Sequence, residues 1–283
     1  MIRTLICLFG LLLLQGCSAI KLGYQQLPTL SYWWLDSAIS FNSEQSVRAK
    51  EALEQLHQWH RREELTSYAD FLQRSALWSQ GTLESTQVCS AFTEVQTRLD
   101  RLMREAVHQA APVAMMLGPR QLSHLARQWD SKNEEWEKDW LRGDEQARIE
   151  RRVERVTGRY SDFYGSLSAE QTSLIKSQLA QSQWTAEWGR RDRQRRQRDL
   201  LATLQRVTQN QMTAAQTEAE LWGVWQRWLK PPDAAGAALM QAMSLQACNN
   251  LTQLHNTTSS EQRQRATRRM RAYERDLRDL IKP

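Results

Sequence analysis

The stretch Val88-Cys-Ser-Ala-Phe92-Thr-Glu-Val95-Gln-Thr-Arg-Leu99-Asp-Arg-Leu102-Met-Arg-Glu-Ala106 decides the fold. Its apolar residues at 88, 92, 95, 99, 102 and 106 alternate steps of four and three. That spacing holds one stripe on one side of an α-helix, and it is the seam pattern of helical bundles. Working outward, the same period returns at Leu122, Leu125, Trp129, Asn133, Trp136 and Trp140, and again at Ile149, Val153, Val156, Tyr160 and Phe163. Ala266, Met270, Tyr273, Leu277 and Leu280 make a further stripe, and Leu221, Trp225 and Trp228 a shorter one. The pattern predicts about nine helices, near residues 43–61, 65–79, 85–116, 119–141, 144–164, 168–181, 184–209, 213–229 and 233–282, the last broken around 257.

The breaks carry their own chemistry. Asn42 or Ser43 can cap the first helix. Gly118-Pro119 ends one helix and opens the next, with proline in a first-turn position. Ser168 with Gln171 forms a capping box. Gly143, Gly165 and Pro231-Pro232 are stops, and Pro112 predicts a kink or restart. Only 11 Gly and 6 Pro serve 283 residues. That is too few turn-formers for a sandwich, barrel or propeller, and no Gly-rich phosphate loop is present. The expectation is an all-α, elongated multi-helix bundle forming one domain over residues 42–283.

The N-terminus is a different kind of segment. Arg3 precedes an apolar run from Leu5 to Leu14, long enough for a signal-peptide core and too short for a membrane span. It ends Leu14-Gln15-Gly16-Cys17-Ser18, which resembles the bacterial lipobox, whose cysteine is lipidated and becomes the first residue of the mature chain. Residues 1–16 are therefore expected to leave, and Cys17 to carry the lipid. Ser18 stands where an Asp would retain an enterobacterial lipoprotein in the inner membrane, so the outer membrane is expected. Residues 17–41 read as a lipidated tether with an aromatic cluster, Tyr32-Trp33-Trp34-Leu35, that either plugs the core or sits in the membrane interface.

The formal net charge is +6. Losing residues 1–16 removes Arg3 alone among the charged residues and leaves +5, a mild excess that suits anionic headgroups or acidic partners rather than nucleic acid. Cys7 leaves with the signal and Cys17 is acylated. Cys89 and Cys248 remain in an oxidising compartment, where one disulfide between them is expected.

Few residues suggest catalysis. There is no GxSxG, no cysteine pair has metal spacing, and the acidic residues sit on charged helix faces. No catalytic residue and no cofactor is expected. His57, His60 and Glu64 share a helical face in Leu-His-Gln-Trp-His-Arg-Arg-Glu-Glu, and two imidazoles with a carboxylate could ligate zinc. Both histidines also border the apolar stripe, which suits hydrogen-bonded structural histidines.

The most unusual segment is Gly189-Arg-Arg-Asp-Arg-Gln-Arg-Arg-Gln-Arg-Asp199, with six Arg, two Asp and no apolar side chain. Three helical turns without an apolar face must be solvated, ion-paired to neighbouring helices, or a binding surface. Glu134, Glu135, Asp139, Asp144 and Glu145 are the expected partners if the network is internal. If it is a surface, Trp184, Trp188, Arg190, Arg191, Arg195 and Arg198 are the partner-binding candidates, because Arg and Trp are the side chains enriched at interfaces.

Several of these motifs together resemble an uncharacterised family of proteobacterial lipoproteins, the domain of unknown function 6279. They are the lipobox with Cys17, Tyr32-Trp-Trp-Leu-Asp36, Leu56-His-Gln-Trp-His-Arg-Arg-Glu-Glu-Leu65, Lys132-Asn-Glu-Glu-Trp136 with Trp140-Leu141, Tyr164-Gly-Ser-Leu167, and Arg195-Arg-Gln-Arg-Asp-Leu-Leu201. The resemblance implies a lipoprotein and carries no activity. A second echo runs through the helix starts Phe41-Asn-Ser-Glu-Gln45, Leu117-Gly-Pro-Arg-Gln121, Leu167-Ser-Ala-Glu-Gln171 and Thr258-Ser-Ser-Glu-Gln262. Capping accounts for it; it also resembles the LTxxQ motif of small helical periplasmic chaperones, and more loosely the membrane-anchored lipase foldases. The expected function is non-enzymatic: a lipid-anchored binding or chaperone-like protein facing the periplasm. The alternative is an accessory subunit with one stoichiometric partner, and a minor one is metal binding through His57, His60 and Glu64.

Overall fold

A computed structural model describes residues 15–282, with side chains from Ile20 onward. The signal segment lies outside the described residues but for the backbone of Gln15 and Gly16, and so does the side chain of Cys17. Every described element is helical: α1 (Gln15–Gln25), α2 (Leu27–Ile39), α3 (Ser43–Trp59), a π-helical turn (His60–Glu64), α4 (Leu65–Trp78), α5 (Ser85–Met115), α6 (Pro119–Trp140), α7 (Glu145–Tyr164), α8 (Ala169–Ala180), α9 (Ala186–Gln209), α10 (Ala214–Leu229), α11 (Ala234–Asn256) and α12 (Ser260–Ile281). No described helix is long and apolar enough to cross a membrane. The nine expected spans are all present, and the last is broken at Thr257–Ser259 as its capping residues dictate. Pro112 causes no restart, because α5 ends one turn later.

Most of residues 17–41, the expected tether, are helical. They form α1 and α2, which pack on α12, α3 and α6. Pro28 sits in the first turn of α2, where its missing N–H costs nothing. Trp33 and Trp34 do not plug the core; they are 62% and 70% exposed, on the outside with Leu22, Leu27 and Leu30.

The 31 residues of α5 run for about 46 Å at 1.5 Å per residue and form the spine. Their two halves serve two centres. Val107, Ala111 and Ala114 pack with Leu122, Leu125, Leu204 and Leu221 of α6, α9 and α10. At the other end α12 lies along α4, with Leu65, Ala69, Ala76 and Ala266 completely buried. Alanine at the contact lets the two backbones approach closely. Near this end Cys89 of α5 is joined to Cys248 of α11, with Cα atoms 5.2 Å apart and 159 positions between them in sequence.

The four echoed glutamines are the joints of the bundle. Gln45 and Gln121 exchange hydrogen bonds through their amides, at 3.0 and 2.7 Å. Each Oε1 also accepts from its own N-terminal turn, from the amides of Asn42 and Gly118. Each Nε2 donates again to the helix end opposite: Gln45 to the Met116 carbonyl at 2.6 Å, Gln121 to the Ser40 carbonyl at 3.0 Å. Gln171 and Gln262 repeat the arrangement, with both cross-bonds at 2.9 Å and donations to the Thr257 and Ser166 carbonyls. Both amide hydrogens and both lone pairs of all four side chains are used. Capping alone would leave these side chains on the surface; here they tie turn α2–α3 to turn α5–α6, and turn α7–α8 to turn α11–α12.

Candidate functional site

The arginine segment of α9 lies between α6 on one side and the start of α11 on the other, and its two sides differ. Asn133 of α6 is buried and faces α9, where its Oδ1 accepts from Arg193 Nε at 2.7 Å and from Gln197 at 3.1 Å. Glu137, one turn on, shares that face and lies 3.7 Å from Arg190. The acids expected as partners are elsewhere. Glu135 pairs with Lys132 and Asp139 with Arg155, because the buried face of α6 runs through Asn133 and carries its neighbours outward. Arg195 and Arg196 pair within α9, both on the buried Asp192, with contacts of 2.7 Å. Arg195 also donates to the Arg227 carbonyl, and Asp199 takes Arg227. Much of the charge is thus an internal network.

Trp184 belongs to that structural side. It meets Trp140 edge-on with ring centres 5.2 Å apart, and Arg152 lies over it at 4.7 Å. Gly189 is required beneath it: a Cβ there would come within 2.8 Å of the indole.

The other side is open. Trp188, Arg191, Asp192, Arg195 and Arg198 face Pro231, Asp233, Gly236 and Leu239 across a cleft of about 430 Å³. Arg191 and Arg198 are exposed, and neither has a carboxylate partner among the described residues. The first turn of α11 adds the positive end of a 23-residue helix, although the Asp233 carboxylate already caps it through the Gly236 amide at 2.6 Å. The cleft therefore offers two unneutralised guanidiniums beside an indole, a combination suited to an acidic group attached to an apolar one. Of the six candidates, Trp188, Arg191, Arg195 and Arg198 come together here, while Trp184 and Arg190 turn to the α6–α7 side.

His57, His60 and Glu64 do not converge. Among the described residues no three His, Cys, Asp or Glu side chains could hold a metal ion. The π turn from His60 to Glu64 is the cause, since its wider turn rotates Glu64 off the face shared by the histidines. His60 Nδ1 lies 2.9 Å from the Tyr24 hydroxyl of α1, whereas the fully buried Glu64 meets Arg101 of α5 at 3.0 Å. Burial raises the Glu64 carboxyl. Burial, then the neighbouring His57 charge, pushes His60 down to about 4. An unfolded His60 binds a proton below about 6.5 and the folded one does not until about 4. Its share of stability is therefore present above that window and is lost as pH falls from 6.5 to 4. Chemical denaturation across this range tests it. The stability difference between the unaltered chain and His60→Gln should grow by about 1–2 kcal/mol from pH 4 to 6.5, discounted for partial exposure; a constant difference would contradict the assignment. His108, raised by its hydrogen bond to Glu218, works in the opposite sense.

Sequence reasoning missed a second concavity. A groove of about 450 Å³ opens between α4, α5, α7, α11 and α12, lined almost entirely by apolar and aromatic side chains. Its lining draws on the stripes Val88-Phe92-Val95 and Tyr160-Phe163, which the sequence pattern assigned to bundle seams.

Residues 37–227 match a family of unknown function (DUF6279). The chain belongs to this family. The DUF6279 match takes in α3 to α9 and nearly all of α10, and so includes the arginine wall of the cleft. It stops before Pro231–Leu239, Cys248 and Gln262, so the opposite wall, the second half of the disulfide and one glutamine joint lie beyond it. No curated protein and no solved structure matches the chain.

Proposed function

We propose that this DUF6279 member is a lipid-anchored, non-enzymatic binding protein of the outer membrane that receives an acidic envelope partner in the α9–α11 cleft. The observation that carries this reading is the contrast along α9. Arg190, Arg195 and Arg196 have carboxylates, and among the described residues Arg191 and Arg198 have none. Arginines needed only for packing would be paired like their neighbours.

Anchoring through Cys17 fits the exposed surface of α1 and α2. Leu22, Leu27, Leu30, Trp33 and Trp34 are 44–70% exposed on α1 and α2, beginning five residues after Cys17. Leucine and tryptophan on one exposed side suit the headgroup boundary of a bilayer. The glutamine joints support the chaperone-like form of the reading, through the resemblance of their motif to LTxxQ.

Replacing Arg191 and Arg198 together by alanine tests the proposal. The melting temperature should stay within about 2 °C, since exposed unpaired charges contribute little. Capture of the envelope partner should fall at least about tenfold, the ~1.4 kcal/mol worth of one charged contact. A large loss of stability with capture unchanged would return both residues to the internal network and overturn the reading.

A further inference from the structure

The groove between α4, α5, α7 and α12 is independent of the arginine cleft. Phe71, Trp78, Phe92, Val95, Phe163 and Tyr273 make its walls, and Val95 is 39% exposed. These are the large side chains a bundle ordinarily buries against another helix. Among the described residues they are only partly covered, and the volume falls within the range of small-ligand sites, ~300–1,000 Å³.

The few polar groups divide into a closed floor and an open mouth. On the floor, His255 Nε2 lies 2.8 Å from the Gly81 carbonyl and Nδ1 2.9 Å from the Tyr164 hydroxyl. The carbonyl can only accept, so the ring donates from Nε2 and takes the tyrosine proton at Nδ1. These groups satisfy one another and offer nothing to a ligand.

The mouth is different. Arg159 is the one charged residue in the lining, and no carboxylate accompanies it. It is exposed and without a polar partner among the described residues; the half-buried Tyr160 beside it has no hydrogen-bond partner among them either. Arg269 stands over the rings of Phe163 and Tyr273, each 5.5 Å away, and among the described residues it hydrogen-bonds the Tyr273 hydroxyl alone, at 2.9 Å. Two guanidiniums without acids, above a deep apolar trough, are complementary to one long hydrocarbon chain that ends in a small anion. A cationic head would meet two like charges, and a diacyl lipid would need a second trough.

We propose that this groove binds a single long-chain fatty acid, with its acyl chain along Phe92, Val95 and Phe163 and its carboxylate at Arg159 and Arg269. Polar lining at depth is minimal, so chain length sets the affinity. Each added methylene should tighten binding about fourfold until the groove is full, the equivalent of ~0.8 kcal/mol.

The test is photolabelling of the full chain in phospholipid nanodiscs by a diazirine analogue of palmitate, with peptide mapping of the adducts. Label is expected in peptides spanning residues 88–95 and 270–273. Unlabelled palmitate should compete at least about tenfold better than hexadecylamine, the difference one charge-assisted contact makes. Arg159→Gln, at an exposed position, should abolish that preference while label remains. Ala91→Trp should remove the label by filling the groove. Circular dichroism and an intact Cys89–Cys248 bridge report whether that variant folds, and if it does not, the acid-to-amine preference of the unaltered chain decides alone. Label spread over the surface, equal competition by the amine, or stronger competition by lysophosphatidylglycerol or an apolar peptide would overturn the proposal.

Discussion

Replacing Cys89 and Cys248 together by alanine is expected to lower the stability of the chain by about 2–5 kcal/mol and its melting temperature by roughly 10 °C. The magnitude follows from the loop the bridge closes. With 159 positions between the cysteines, the chain-entropy relation gives about 5 kcal/mol, the upper end of the range. The location adds to it. The bridge ties α11 to the spine helix α5; without it α11 is held by packing against α5 and α8 and by the hydrogen bonds of His255 to Tyr164 and the Gly81 carbonyl. Buried Cys248 would also leave sulfur-sized space at its position. Thermal melts of the unaltered chain with and without reductant, beside the double variant, make the measurement. Reduced chain and variant should melt together, well below the oxidised chain. Equal melting of all three would mean that the two halves are held without the bridge.

The second large effect concerns the glutamine joints. Gln45→Ala removes two bonds to Gln121 and one to the Met116 carbonyl, and it orphans the Asn42 amide. Gln45 is only 2% exposed, so water does not replace those partners. Stranded buried groups cost more than the bonds themselves, and the expected loss is about 2–4 kcal/mol. Gln171→Ala should cost a similar amount for the same reason. Gln216 provides the internal control. It sits in the same kind of capping box but is exposed and bonds only to Thr213. Gln216→Ala should cost about 1 kcal/mol or less. A double-mutant cycle on Gln45 and Gln121 should show coupling above about 1 kcal/mol, since the pair shares two bonds. Equal losses at 45, 171 and 216 with no coupling would reduce all of these residues to ordinary caps.

These two cases show what sequence can carry. The helical stripe through Val88, Phe92 and Val95 is local, and so are the caps at Asn42, Ser168 and Ser259; each is readable from neighbours a few positions away. The disulfide was readable by elimination of Cys7 and Cys17. The pairing of Gln45 with Gln121 was not, because capping explains each motif singly and only the packed bundle brings positions 76 apart into contact. The helices α1 and α2 were missed for a related reason. Their apolar side chains Leu22, Leu27, Leu30, Trp33 and Trp34 turn away from the bundle, so no core-facing period marks them. The acids paired with α9 were misassigned because one buried residue, Asn133, sets the rotation of α6. The choice between network and surface for the arginines had the same origin: the ion pairs occupy one side of the helix, and Arg191 and Arg198 stand exposed on the other.

The arginine cleft is the centre of the functional account, and the most direct measurement on it is photo-crosslinking in intact cells. A photoreactive residue is placed at position 191, at position 198 and, as a control, at position 48 on exposed α3. The account predicts abundant adducts with acidic envelope proteins from 191 and 198 and few from 48. A single dominant adduct would identify an accessory subunit and its assembly; many unrelated ones would identify a chaperone-like role. Adducts from 191 and 198 no more abundant than those from 48 would contradict the assignment of this cleft as the binding site.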